Sequence, residues 1–182
     1  ANVVDFPINT LLDQLREEFS YSALAKGLKF KVVACGLTIR SDPRLLVQML
    51  RNLLSNALKY TQKGSILLGC RRKSGKLSVE IWDTGLGIAK QDLSAIFEEY
   101  HQLDNAARER SRGLGLGLSI VKRLGHLLGH EIKVTSHFGK GSAFAVEILL
   151  PVEASARRAP AGVPLATRQV MPQSVNRGTV LV

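Results

Sequence analysis

Cysteine is nearly missing from this sequence. Cys35 and Cys70 stand without C-x-x-C spacing and without a Cys/His cluster around either. Their isolation argues against a structural zinc site and for a reducing compartment. Aromatic residues are also scarce, at 5% of the chain, and none is interleaved with basic residues as a stacking platform. No apolar run nears the ~20 residues that a membrane-spanning helix needs. The N-terminus has no signal-peptide pattern. A soluble piece is expected, with any membrane spans of a longer protein outside it. Acids are outnumbered, 15 Asp and Glu against 25 Lys and Arg, for a formal charge of +10. Such a surface attracts nucleic acid, acidic lipid or a polyphosphate ligand. Apart from Arg71-Arg72-Lys73 the basic residues are scattered. The polyphosphate reading therefore ranks first, with no nucleic-acid partner and no membrane contact expected of this segment.

What is present begins with a hydrophobic content of 45% over 182 residues, enough for one domain with a tail. Its centre is the stretch from Ser41 to Lys63. Asp42 followed by Pro43 is a helix start, a capping carboxylate and then a ring whose missing N–H is no loss in the first turn. Leu46, Met49, Leu50, Leu53, Leu54, Ala57 and Leu58 recur at helical spacing and make a broad apolar face. Gln48, Asn52, Asn56 and Lys59 form a narrow polar stripe beside it. Asparagine is a mediocre helix former, so two of them one turn apart invite a question. On the helix alone the stripe fits either a solvated face or a set of groups aimed at a hydrated metal and phosphate oxygens.

In chain order, Val3 to Phe6 reads as a strand and Ile8 to Lys26 as a helix. That helix would be capped by Asn9 or Thr10, buried through Leu11, Leu12, Leu15, Phe19 and Leu24, and stopped by Gly27. Phe30 to Ala34 and Leu37 to Arg40 are short strands. Ser65 to Arg72 and Lys76 to Trp82 form a hairpin across Lys73-Ser74-Gly75. A short helix is expected near Gln91 to Glu99 and a mobile loop over Tyr100 to Arg112. A helix from Leu118 to Leu128, packed through Ile120, Val121, Leu124 and Leu128, precedes two final strands, Glu131 to Ser136 and Ser142 to Leu150. The domain reading is 1–152, then an Ala/Pro/Arg-rich flexible linker over 153–177, then a strand-like end at 178–182.

Two glycine clusters carry chemistry. Asp83-Thr84-Gly85-Leu86-Gly87-Ile88 follows a strand. Its carboxylate can accept from an exocyclic amine such as adenine's, and its glycines let backbone approach a flat ring. A plain Asp-capped glycine turn fits the same letters. Gly113, Gly115 and Gly117 open a helix, where free N–H groups and the helix dipole attract phosphate, although glycines there can also only make room for packing. Neither cluster matches GxGxxG, and no Walker-type GxxxxGK[ST] occurs.

Taken together, NLLSNALKYT (52–61), DTGLGI (83–88), IFEEYHQLD (96–104) and GLGLGLSIVKRL (113–124) resemble, in order and spacing, the four boxes of the ATP-binding catalytic domain of sensor histidine kinases, part of the wider GHKL ATPase group. The resemblance covers roughly residues 3–152. It implies a Bergerat-type α/β (α+β two-layer) sandwich: a mixed sheet, three helices on one face and a mobile ATP lid. Position by position it implies that Asn56 binds Mg²⁺ through its side-chain oxygen, with Asn52 near metal and phosphates and Lys59 on phosphate. Tyr60 lines the nucleotide site. Asp83 reads adenine, with Gly85, Gly87 and Ile88 turning beneath the base. Phe97 anchors the lid. Gly113, Leu114, Gly115, Leu116, Gly117 and Leu118 close on the phosphates. A hard cation that keeps several waters suits one amide ligand.

Hydrolases of the same group place a glutamate, a base for water, where this chain has Asn52. An amide cannot take a proton at neutral pH. The implied activity is therefore transfer of the γ-phosphoryl of Mg-ATP to a histidine on a separate phosphoacceptor helix, in two-component signalling. A nucleotide-binding module without transfer is the alternative. His101, His126, His130 and His137 lack that family's acceptor context, so the chain reads as a catalytic fragment without its own target. HLLGH (126–130) lacks the intervening glutamate of a metalloprotease site. Gln102 stands where the family often has a basic lid residue, and Gly113-Leu114 where a small hydroxyl residue is more usual. Arg108, Arg110 and Arg112 are candidate replacement cations. Residues 178–182 resemble the opening strand of a receiver domain, as in hybrid kinases, so a receiver or response regulator is an expected partner. The implied location is cytoplasmic.

Overall fold

A computed structural model describes residues 1–98 and 116–150. In chain order they form β1 (Val4–Pro7), α1 (Ile8–Ala25), β2 (Lys29–Val32), β3 (Thr38–Ser41), α2 (Pro43–Tyr60), β4 (Ser65–Lys73), β5 (Lys76–Asp83), α3 (Gly117–Leu128), β6 (Glu131–His137) and β7 (Gly141–Leu149). Two 3-10 turns, Lys90–Asp92 and Ala95–Phe97, lie between β5 and α3. The main sheet runs β2-β4-β5-β7-β6, with β2 parallel to β4 and the other pairs antiparallel. β1 and β3 make a separate antiparallel ribbon.

Alternation sorts the sheet into two faces. Ile66, Leu68, Leu77, Val79, Ile81, Phe144, Val146 and Ile148 are buried on one of them. The helices cover that face, and α2 lies centrally, touching α1, α3 and β5. The seven apolar positions expected on α2 are all buried. Asp42 caps it as the sequence predicts, accepting from Arg44 N–H at 2.9 Å and Leu45 N–H at 3.1 Å. At the other end Lys26 Nζ donates to Leu58 O at 2.8 Å, satisfying a last-turn carbonyl. The β4–β5 hairpin closes through Ser74 and Gly75, both at positive φ (50° and 75°), the two-residue geometry that matches strand twist.

Four expectations need correction. Pro7, not Asn9 or Thr10, holds the cap position of α1, and no side chain caps it. Asn9 lies inside the first turn, donating to Asp13 Oδ2 at 2.7 Å and accepting from Cys35 N–H at 3.2 Å. Leu24 is 76% exposed, because the buried stripe passes through Ala23, one residue and ~100° away. The segment near Gln91 to Glu99 forms two 3-10 turns, within residues 90–97, rather than a helix; among its described residues only Ile96 is buried, so they offer no apolar stripe to hold longer turns. Cys35 and Cys70 do not stand alone, because their thiols hydrogen-bond each other. The expected loop over Tyr100 to Arg112 and everything from residue 151 onward lie outside the described residues.

The open face of the sheet carries an ion cluster. Glu147 meets Lys133 at 2.6 Å and Lys76 at 3.0 Å, and Lys76 also reaches Glu131 at 3.0 Å. The Lys133 and Lys76 ammoniums hold the Glu147 carboxyl down at about 2. A carboxylate depressed in this way stabilises the fold above its unfolded value, and that contribution is lost as pH falls through the folded value. Glu147→Gln should therefore lower the thermal midpoint at pH 7 by a few degrees. The gap to wild type should close as pH approaches 2, and shrink at high salt. A gap unchanged between pH 7 and pH 3 would refute this.

Candidate nucleotide site

Strand β5 ends at Asp83, and the chain then has to turn within four residues between α2 and the β6–β7 turn. Asp83 Oδ1 accepts the Gly85 N–H at 2.8 Å, and the Ser142 backbone also donates to this carboxylate. Burial pushes its pKa up, and those two hydrogen bonds oppose the shift. Leu86 N–H bonds Tyr60 O at 3.2 Å, so the loop is tied to the C-terminus of α2. A Cβ on Gly85 would lie 2.5 Å from Tyr60 O and 2.9 Å from Thr61 Oγ1. Gly87 has φ +69°, and a Cβ there would lie 2.1 Å from His137 O. Thr84 N–H bonds Ser65 O at 3.1 Å, and Ser65 N–H bonds Thr84 Oγ1 at 2.9 Å. The loop is thus held from three sides before any ligand arrives.

Ile88 sits half-buried against the core with its N–H on Ser136 Oγ at 2.8 Å. Phe97 is packed against the core, in the 3-10 turn that touches α3. Lys59 and Tyr60 close α2 together, with the ammonium 5.2 Å from the ring centroid.

The second half of the site is where α3 begins. Its N-terminus has no side-chain cap, so its first-turn N–H groups lack the usual side-chain acceptor. A Cβ on Gly117 would lie 3.9 Å from Asn52 Oδ1 and 3.9 Å from Asn56 Nδ2. The start of α3 therefore faces the asparagine stripe of α2. Leu116 occupies the cap position and Leu118 packs against the core. Gly113, Leu114 and Gly115 lie outside the described residues.

Sequence reasoning missed Thr61 as a site group. Its Oγ1 is the buried side-chain polar atom without a hydrogen-bond partner among the described residues, in the crook of Gly85. The Asp-Thr-Gly loop marked the place, but nothing in the letters aims Thr61 at it. His130, the other half of the HLLGH pair, bonds Ser41 Oγ at 2.7 Å, and burial lowers its pKa. Among the described residues no group of three His, Cys, Asp or Glu side chains could hold a metal, and no helix is long and apolar enough to cross a membrane.

An aspartate-glycine loop at the end of a central strand, set against an asparagine helix and a glycine-opened helix, defines an ATPase class. Residues 41–153 match the family described as histidine kinase-, DNA gyrase B- and HSP90-like ATPase, and the chain belongs to that family, as an ATP-binding domain of the sensor-histidine-kinase type. It is 39% identical over 175 residues to the sensor histidine kinase GacS of Pseudomonas protegens, covering 92% of this chain and 19% of GacS. It is 31% identical over 179 residues to hybrid signal transduction histidine kinase B of Dictyostelium discoideum, covering 94% of this chain and 8% of that protein. Among solved structures, full-length ShkA in complex with AMPPNP superposes with a TM-score of 0.73 at 32% identity, over 82% of this chain and 32% of that one. The chain spans less than one fifth of the length of these sequence relatives.

Proposed function

We propose that this domain binds Mg-ATP and hands the γ-phosphoryl group to a histidine on a separate phosphoacceptor helix. One observation carries the reading: Asn52 and Asn56 lie together under the N-terminus of α3, beside the Asp83 loop that is tied to the same helix at Tyr60. The AMPPNP in the ShkA structure, an ATP analogue, supports a nucleotide there.

The residues fit the groups proposed. Two amides one helical turn apart, both within 3.9 Å of a Cβ placed on Gly117, suit a hydrated hard cation shared with phosphates. Asn56 would hold Mg²⁺, whose chemistry is to neutralise charge on the phosphate oxygens. Lys59 and the first-turn N–H groups of α3, from Gly117 and Leu118, bind phosphate. Gly113, Leu114, Gly115 and Leu116 are assigned to the same phosphate contact. Asp83 accepts the adenine amine; Thr61 Oγ1, otherwise orphaned, faces the same corner. Gly85, Gly87 and Ile88 form the floor and Tyr60 a wall. Phe97 fixes the near end of a lid. Asn52 stands where a base for water would be needed and cannot act as one, so the site holds the triphosphate for another acceptor.

The phosphoacceptor helix and a receiver domain or response regulator are the proposed partners. The hybrid kinase among the relatives supports a receiver after a linker at 153–177, beginning near 178–182. The test mixes this chain with a dimeric phosphoacceptor domain from a GacS-type kinase and γ-labelled ATP. Label on the acceptor histidine, absent when Asn56→Ala replaces wild type, is the expected result. ATP binding without transfer to any matched acceptor would instead leave a nucleotide-binding module.

A further inference from the structure

Two thiols meet on the sheet edge far from the nucleotide. Cys70 lies on β4 opposite Val79 of β5, whereas Ile66 lies opposite Asp83. Four residues of strand, about 13 Å, therefore separate Cys70 from the end of β4 that flanks the site. Cys35 follows β2, whose pairing with β4 continues past the strand through Val33 N–H to Leu68 O at 2.9 Å. The turn carrying Cys35 is anchored. Its N–H bonds Asn9 Oδ1 at 3.2 Å, and Leu37 O accepts the Ile8 N–H at 3.0 Å, so the turn is buttoned to the first turn of α1. Both thiols are half-buried and free, and each is the other's hydrogen-bond partner.

We propose that Cys35 and Cys70 form a redox-modification site that closes to an intramolecular disulfide on reaction with a small-molecule disulfide. The chemistry is two exchanges. The Cys35 thiolate attacks one sulfur of the small disulfide, forming a mixed disulfide and releasing one small thiolate. Cys70 then attacks the Cys35 sulfur, its proton passing to the second small thiolate as that group leaves. Two electrons go from the protein thiols to the small disulfide, and one protein S–S bond forms. The roles follow from the surroundings. The Cys70 S–H and the Leu37 N–H both point at the Cys35 sulfur and bring that thiol to about 6, against its burial. The same contact, with burial and the nearby Glu80 charge, pushes Cys70 up. The Leu37 N–H favours the thiolate of Cys35, whereas burial and Glu80 disfavour that of Cys70, so Cys35 is the readier nucleophile of the two. In a reducing compartment both stay free; an oxidising shift would pin the turn after β2 to the sheet.

The full 182-residue chain is incubated with oxidised glutathione and read by intact mass and thermal melting. Wild type should lose two hydrogen masses and regain them with dithiothreitol. Cys70→Ser should stop at one stable glutathione adduct on Cys35. Cys35→Ser should acquire its adduct about tenfold more slowly or worse at pH 7. The closed loop should raise the oxidised form's midpoint by about 5–10 °C. Two glutathiones on wild type, a cross-linked dimer, no reaction, or an oxidised midpoint equal to or below the reduced one would each overturn the proposal.

Discussion

Asp83→Ala is expected to weaken binding of ATP, ADP and AMP alike by about 10- to 150-fold, the worth of a buried hydrogen bond to a charged group. The equal loss across the three nucleotides is the point. Asp83 takes the Gly85 N–H and a Ser142 donor, which fix the carboxylate but leave it acceptor capacity for an amine. If that amine belongs to adenine, the phosphate count is irrelevant. Asn56→Ala should behave oppositely, costing Mg-ATP affinity by a similar factor and leaving AMP nearly unchanged. Guanine nucleotides carry a carbonyl where adenine has its amine, so Asp83→Ala should also erode the preference for ATP over GTP. Isothermal titration with the four nucleotides separates these cases. Loss of the Gly85 hydrogen bond will cost about 1 kcal/mol of stability by itself, so each variant is melted first and titrated well below its midpoint. Burial raises the Asp83 pKa, which adds a pH test. Affinity should fall as acid protonates the carboxylate, beginning above the ordinary aspartate range. AMP binding untouched by Asp83→Ala would remove this residue from the base.

The helices and hairpin were legible because their signals are local. Asp42-Pro43 and the period of Leu46, Met49, Leu50 and Leu53 need no partner to be read. Ser74-Gly75 sets a hairpin by turn geometry alone. The candidate site could be read only as ordered boxes, because what joins those the structure describes is long-range: Tyr60 O to Leu86, and Gly117 over Asn52 and Asn56. Asn9 was misread as a cap because capping letters also serve tertiary contacts; its amide goes to Cys35 and Asp13 instead. The cysteine pair was invisible, since the parallel β2–β4 register that brings Cys35 to Cys70 is set by a crossover through β3 and α2. Spacing of 35 and 70 encodes nothing of that.

Gly141→Ala should be among the most damaging single substitutions outside the apolar core, and Gly27→Ala shows why space rather than φ decides it. Both glycines have positive φ, +117° and +68°. Around Gly27 nothing lies within 4 Å of an added Cβ. Its replacement costs only the left-handed penalty, about 1–2 kcal/mol, or a midpoint drop of roughly 2–8 °C. At Gly141 the same atom would lie 2.0 Å from Asp83 O and 2.9 Å from Thr84 Cα. Those neighbours are backbone, and they cannot retreat without opening the Asp83–Ser142 register of β5 and β7. Strain plus that opening should cost about 3 kcal/mol or more, a drop of roughly 6–12 °C or beyond. The displaced atom belongs to Asp83, so ATP affinity should fall too, whereas Gly27→Ala should bind normally. Thermal melts and ATP titrations of the two variants check both halves. Equal midpoints would mean that β7 does not press on the Asp83 loop, and an intact ATP affinity in Gly141→Ala would mean that the loop's backbone position does not matter to the nucleotide.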